Sequence, residues 1–276
     1  MIENDSAEMV GRRSLRDLVP PYIYPRWRTR IRKSQVMPMP VKFSAEVTKV
    51  LRHGDDVATY QFRCLMPRPR WKPGQFLHLA LEAYDPAGHW PESRCFTMAS
   101  GSLEKDFVRL TIAAKGQFTT RILRELQPGR KVWMKAPYGD FIVRTSREHD
   151  VVLIAGGTGI TPFVAFMEDA LTKGLEGNVW LHYGARNQDL LVFRGFAESC
   201  ARQFPSFHID CYAETGATGS TMAGRIDLLR AVGIACNGKA ATYYLCGPQE
   251  MINAFRARLT GEFGVAESSV KIDAWE

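Results

Sequence analysis

The stretch Val151-Val152-Leu153-Ile154-Ala155-Gly156-Gly157-Thr158-Gly159-Ile160-Thr161-Pro162 decides the fold. Its first five residues form a short uncharged apolar run, the mark of a strand buried on both faces. Pro162–Lys173 then carries helical spacing. Between them the glycines permit a tight turn and a close backbone approach to a pyrophosphate. Thr161 suits the N-cap and Pro162 the first helical position, which leaves free amides and the positive helix end facing the phosphates. The loop is not G-x-G-x-x-G, so the dehydrogenase fingerprint does not apply as written. No Lys-Ser/Thr follows, so it is not a Walker loop either.

Downstream, strand and helix patterns alternate. Val179–Tyr183 and Phe207–Tyr212 read as strands, and Leu190–Phe204 as a helix. Ile226–Val232, Thr242–Cys246 and Gln249–Phe263 continue the pattern, and Val270–Ala274 closes it. This predicts a parallel, doubly wound sheet of about five strands, with its ligand crevice at the strand carboxyl ends. Cys246-Gly247-Pro248 ends one of those strands and opens the next helix, opposite the first glycine loop. Taken alone, a strand-end cysteine is ordinary packing.

Upstream the grammar differs. Ser44–Leu51, Val57–Cys64, Gln75–Leu81, Phe107–Ala113, Lys131–Lys135 and Phe141–Val143 read as short strands with turn punctuation, and Thr119–Leu126 as one short helix. The expected result is a closed antiparallel barrel of six strands. Within it Arg94-Cys95-Phe96-Thr97 offers a cation, an aromatic face and a hydroxyl. On an extended strand Arg94 and Phe96 share one side and Thr97 takes the other. Lys115-Gly116-Gln117-Phe118-Thr119-Thr120 runs from a strand into the short helix, where its glycine and free amides suit another phosphate. The expected division is an extension at 1–42, a barrel at 43–147 and an α/β domain at 148–276.

Composition narrows the classes. The chain has 276 residues, 45% hydrophobic and 24% charged, and its 30 aromatic side chains exclude disorder throughout. Cysteines stand at 64, 95, 200, 211, 236 and 246. None has C-x-x-C spacing, and no run fits a plant-type iron–sulfur cluster, so no metal site is expected. Free reduced thiols point to the cytoplasm. Glu3, Asp5 and Glu8 precede no apolar run, so a secretory signal is not expected. Val151–Met167 is too short and too broken by glycine and proline to span a bilayer.

The formal charge is +7, of which residues 1–42 carry +5, from nine Lys/Arg and four acids, leaving +2 on the remainder. That segment holds Pro20, Pro21, Pro25, Pro38 and Pro40 and no sustained apolar period. It reads as an extended arm, either solvated or docked, or else contacting a partner or an anionic membrane surface through Arg26 to Lys33. Nucleic acid is disfavoured, because no recognised binding motif surrounds these charges.

In this order and spacing, the motifs of residues 43–276 resemble those of the ferredoxin–NADP reductase superfamily. The resemblance implies FAD and NAD(P)H as cofactors. Its R-x-Y-S/T motif is Arg94-Cys95-Phe96-Thr97: Arg94 for the flavin pyrophosphate, Phe96 against the isoalloxazine, Thr97 near flavin N5. Phe96 keeps a stacking face but lacks the usual tyrosine hydroxyl. Gly116 to Thr119 matches G-x-x-S/T, a second pyrophosphate clamp favouring FAD, flanked by Lys115 and Thr120 with Gln117 inside it. Pro137-Tyr138-Gly139-Asp140-Phe141 looks like the P-x-G-x-F segment that ends the flavin domain.

The Gly157-Thr158-Gly159-Ile160-Thr161-Pro162 loop then implies the dinucleotide site, with Cys246, Gly247 and Pro248 on the nicotinamide side. Ala185 and Arg186 fall in the segment that contacts the adenosine half. Family members preferring NADPH often carry Ser-Arg where this chain has Tyr212-Ala213-Glu214. A 2′-phosphate would depend on Arg186, Arg225 or Arg194, so NADH and NADPH both remain open. Asp273-Ala274-Trp275 resembles the family's carboxylate-x-aromatic terminus, with Glu276 added. Trp275 is either a displaceable lid on the flavin or an aromatic closing the last strand.

The implied catalytic set is Thr97, Cys246, Asp273 and Trp275. With no cysteines for an iron–sulfur domain, the resemblance implies that electrons leave to a separate partner, or else that the sequence is a piece of a longer chain. The partner is a carrier such as ferredoxin or flavodoxin, or alternatively an oxygenase component, desaturase or haem protein fed directly. A non-catalytic dinucleotide-binding module is the reading of another class.

Overall fold

The computed structural model of the chain describes residues 39–65, 69–104, 106–235 and 240–274. Almost all of the 1–42 extension, and Trp275, lie outside the described residues. Residues from Met37 onward belong to one unit, with two sheets side by side.

The first sheet contains β1 (Val41–Arg52), β2 (Val57–Cys64), β3 (Phe76–Ala80), β4 (Ser93–Thr97), β5 (Phe107–Ala113) and β6 (Lys131–Tyr138), in the order β4-β3-β6-β1-β2-β5. Every pairing is antiparallel. Alternation puts Phe43, Ala45 and Val47 of β1 inside, against Tyr60, Phe62, Leu77, Leu79, Leu110 and Met134. Each large side chain buried there contributes about 1.5–3 kcal/mol. Helix α1 (Gln117–Glu125) covers one opening with Phe118, Ile122 and Leu123.

The barrel is closed less fully than expected. No ladder joins β4 to β5, and the gap is spanned just past β4 by Ala99 N–H donating to Arg109 O at 2.8 Å. The expected strand Phe141–Val143 is irregular chain. A tight turn in which Ile142 N–H donates to Asp140 O at 2.7 Å takes the backbone out of any ladder. Phe141 is instead buried, 6.0 Å from the Phe163 ring and 5.6 Å from the Tyr244 ring. Apolar spacing there encodes a plug between the two halves.

The second sheet contains β7 (Asp150–Gly156), β8 (Val179–Asn187), β9 (Phe207–Thr215), β10 (Met222–Ala223), β11 (Ala241–Gly247) and β12 (Val270–Ala274), all parallel, in the order β10-β9-β8-β7-β11-β12. The sixth strand is β10, a two-residue edge too short to show a period. Helices α2 (Thr161–Lys173), α3 (Arg194–Gln203), α4 (Leu228–Ala235) and α5 (Gln249–Ala257) connect them. The chain enters at β7, builds outward to β10, then returns beside β7 as β11. The strand order therefore reverses between β7 and β11, whose last residues are Gly156 and Gly247, and a crevice opens there.

Three helical expectations shift. Thr161 does not cap α2: a 3-10 turn over Gly157–Ile160 starts the winding earlier, and Thr161 Oγ1 donates to Thr158 O at 3.0 Å. Pro162 consequently sits one position further in. Leu190–Phe204 divides into a 3-10 turn at Gln188–Leu190 and α3. Gln249–Phe263 is α5 followed by a π turn at Arg258–Glu262.

A polar seam fastens α2 to the barrel. Gly101 N–H donates to Glu168 Oε2 at 2.7 Å, and Ser102 N–H to Asp169 Oδ1 at 2.6 Å. Arg109 pairs with Glu168 in the same seam, and Lys173 with Asp169. The helix that begins at the glycine loop is thus held to the barrel along its second half.

Candidate functional site

A cleft of about 1560 Å³ opens between the barrel and the carboxyl ends of the parallel strands. Strand β4 forms one wall. Pairing with β3 in the register Cys95↔His78 and Thr97↔Phe76 fixes its alternation. Arg94 projects toward α1, its guanidinium 5.0 Å from the Phe118 ring centroid and 2.8 Å from Glu92 Oε1. Phe96 packs on the edge of the barrel core. On the opposite side Cys95 Sγ lies 3.6 Å from both ring nitrogens of His78. Burial pushes the Cys95 thiol up, while burial and then the Lys135 charge push His78 down. Both therefore face the cleft uncharged at neutral pH, and Thr97 is buried beside them.

The turn from β5 into α1 continues this wall. Thr119 Oγ1 accepts from Lys115 N–H at 2.8 Å and Gly116 N–H at 3.1 Å, and donates to Gly116 O. Its hydroxyl is spent on holding the turn. The amides left without intrahelical acceptors are those of Gln117, Phe118 and Thr119 in the first turn. Thr120, expected here, is not among the residues that line the cleft.

The opposite wall is backbone. A Cβ added to Gly157, which sits at φ +55°, would meet nothing within 4 Å, so its peptide faces open space. Gly159 has the reverse environment: a Cβ there would stand 2.2 Å from Cys246 O, so the two glycine loops touch through backbone alone. Thr158, Thr161, Gly247 and Pro248 complete this side. Ile160 and Pro162 are buried beneath it.

Cys246 reaches the cleft, and its thiol lies 3.8 Å from Asp273 Oδ2, a residue directly across the β11–β12 pairing. Asp273 itself stands behind the lining. The fourth expected catalytic residue, Trp275, lies outside the described residues.

Further from the centre, Ala185 and Arg186 line the far end, where Arg186 bonds Asp56 of the β1–β2 turn at 3.1 Å. Arg225 pairs with Glu214 at 3.3 Å, both on the cleft. Arg194 is removed from the cleft and tied to Glu198, Thr221 and Ser220. Asp56, Arg121, Glu250, Met251 and Phe255 also line the cleft and were not anticipated. Only Arg121, a cation one turn into the α1 pattern, carried a readable signal. Asp56 meets Arg186 across 130 positions.

The donor set suits two pyrophosphates. Each wall has a helix start, where the first amides lack intrahelical acceptors, with open space beside a glycine, Gly116 on one side and Gly157 on the other. Cations from Arg94, Lys115 and Arg121 stand on the barrel side.

Fold and cleft together define a two-lobed dinucleotide-binding architecture. Residues 153–257 match the family model of the oxidoreductase NAD-binding domain. The chain is 26% identical over 211 residues to the flavohemoprotein of Bacillus subtilis, covering 74% of this chain and 51% of that protein. It is 28% identical over 212 residues to the ferredoxin reductase component of the Mycolicibacterium smegmatis 3-ketosteroid-9-alpha-monooxygenase, covering 76% and 57% respectively. Among solved structures, a cytochrome P450 reductase from Amycolatopsis superposes with a TM-score of 0.74 at 21% identity, over 86% of this chain and 71% of that one. The chain spans about half the length of the curated relatives it matches first. The family model covers most of the parallel-sheet half, which is similar to an oxidoreductase NAD-binding domain.

Proposed function

We propose that this chain is a member of the ferredoxin–NADP reductase superfamily, an NAD(P)H-dependent, FAD-containing reductase that passes electrons to a separate carrier such as a ferredoxin or a flavodoxin. The observation that carries the reading is the pairing of two phosphate-type cradles, Gly116–Thr119 and Gly157–Thr161, on facing walls of one cleft. When bound, the nicotinamide and the flavin supply hydride and single-electron transfer.

The residues divide the remaining work. Arg94 and the first amides of α1 bind the flavin pyrophosphate, with Arg94 exchanging Glu92 for phosphate oxygens. Phe96 provides an apolar face for the ring, and Thr97 a hydroxyl at its edge. Gly157, Thr158 and Gly159 bind the nicotinamide dinucleotide through backbone N–H groups and the positive end of α2. Cys246 and Gly247 bound the nicotinamide end, and Asp273 orients the Cys246 thiol. The lobes correspond to 43–147 for the flavin and 148–276 for the dinucleotide.

Several relatives are named as reductase components of oxygenase systems, including phenol 2-monooxygenase and terephthalate 1,2-dioxygenase. That supports direct delivery to an oxygenase component as the second reading.

The test is the visible spectrum of the purified protein, titrated anaerobically with NADH and then NADPH. Oxidised-flavin absorption that bleaches on adding one nucleotide is the expected result and names the donor. A protein that stays colourless after incubation with FAD overturns the assignment.

A further inference from the structure

The order of the parallel sheet dictates how a dinucleotide lies across its strand ends. Cys246 and Gly247 end β11, the glycine loop follows β7, and β8 and then β9 come next in the sheet. With the nicotinamide at β11 and the phosphates at β7, the adenosine ribose reaches the ends of β8 and β9. Arg186 and Glu214 line the cleft there, and Arg225, just past β10, lines the same end.

Both of those arginines face a carboxylate. Arg186 bonds Asp56 of the β1–β2 turn, on the other lobe, at 3.1 Å, and Arg225 pairs with Glu214 at 3.3 Å. The backbone of Asp56 is fixed as well: Ala114 N–H donates to Asp56 O at 2.7 Å, which fastens the turn to the end of β5. The remaining cleft cations among the described residues, Arg94, Lys115 and Arg121, stand on the barrel side with the flavin clamp.

Exposed ion pairs of this kind are weak, and a phosphate can open them. The carboxylates act through their charge instead. A 2′-phosphate brought to Arg186 or Arg225 also stands beside Asp56 or Glu214, and each like charge about 4 Å away in water weakens its binding roughly fivefold. A ribose 2′-OH has no charge to repel, and it can donate to a carboxylate. We infer, resting on the dinucleotide assignment of the cleft, that the donor is NADH, and that Asp56 determines this choice together with Glu214. A residue of the flavin lobe thus selects the nucleotide of the other lobe, by cancelling the charge of Arg186.

NAD⁺ and NADP⁺ differ only in the 2′-phosphate, and neither delivers a hydride, so calorimetric titration of the full-length holoprotein reads binding apart from turnover. The parent is expected to bind NAD⁺ more than roughly tenfold tighter than NADP⁺, from the two repulsions combined. Asp56→Asn keeps the shape and removes the charge, and should improve NADP⁺ relative to NAD⁺ roughly fivefold. Asp56→Glu keeps the charge and should retain the parent ratio. Adding Arg186→Gln to Asp56→Asn should abolish the gain. The Asp56 and Arg186 side chains are 45% and 76% exposed, so these substitutions leave the fold intact. Tighter binding of NADP⁺ by the parent, or an unchanged ratio in Asp56→Asn, overturns the inference and leaves the dinucleotide site standing. Binding of neither nucleotide overturns the site itself, and the inference with it.

Discussion

The two halves of the molecule reach the same cleft by opposite means. The barrel presents side chains from a paired strand: Arg94, Phe96 and Thr97, their directions set by the β3–β4 register. The parallel sheet presents backbone at strand ends, where Gly159 and Gly247 let the two loops touch and Gly157 leaves open space beside them. Their charges are opposed as well. Residues 43–147 hold 17 Lys and Arg against 10 Asp and Glu, while residues 148–276 hold 10 against 15. The +2 on the body is therefore the remainder of a +7 half and a −5 half. A side-chain wall should degrade residue by residue, whereas a backbone wall fails when its spacing fails.

Glycine substitutions test that contrast most sharply. In Gly159→Ala the new methyl would have to occupy space 2.2 Å from Cys246 O and 2.6 Å from Gly247 N. Backbone on both sides cannot yield cheaply, so the two loops must part. We expect a loss of about 3 kcal/mol or more in stability, with nucleotide binding lost alongside. On the barrel wall, Gly116 adopts extended backbone at φ −167° and has nothing within 4 Å. Gly116→Ala should stay within about 0.5 kcal/mol of the parent. Denaturant midpoints for both variants decide the matter, and equal values would break the comparison.

The glycine loop and Arg94-Cys95-Phe96-Thr97 were legible because each is a local pattern with a local physical reason. The misreadings have the opposite character. Phe141–Val143 has apolar spacing, but whether such a segment joins a ladder or plugs a gap depends on Phe163 and Tyr244, which are distant in sequence. Thr161 is a suitable capping residue displaced by a 3-10 turn that the preceding glycines permit. The seam of Glu168 and Asp169 with Gly101, Ser102 and Arg109 joins residues 59 to 67 positions apart, and no periodicity carries that information.

That seam gives the next prediction. The side chains of Arg109 and Glu168 are only 12% and 19% exposed. Glu168→Ala leaves the guanidinium and the Gly101 N–H without their carboxylate, at a cost of about 2–3 kcal/mol. Denaturant unfolding should show the loss. If the two halves hold together independently of this seam, the midpoint will not move.

A smaller effect concerns the choice of donor. Glu214 sits on the cleft beside Arg225. Two like charges about 4 Å apart in water repel by about 1 kcal/mol, so Glu214→Ser should improve NADPH relative to NADH roughly fivefold and free Arg225 to pair with phosphate. Dissociation constants for the two nucleotides provide the readout. An unchanged ratio would place the 2′ position elsewhere.

The smallest effect uses the charge difference itself. The arm alone first accounts for steering of an acidic acceptor, since residues 1–42 carry +5. The division of the body supplies a second source, because a +7 half attracts an acidic protein whatever the arm does. Replacing Arg26, Arg28, Arg30, Arg32 and Lys33 by glutamine separates the two. If the barrel half contributes, added salt still slows electron delivery to an acidic protein acceptor more than to a small neutral one, with a shallower slope than in the parent. A slope equal to that of the neutral acceptor would assign all steering to the arm, leaving the +7 half to the bound phosphates.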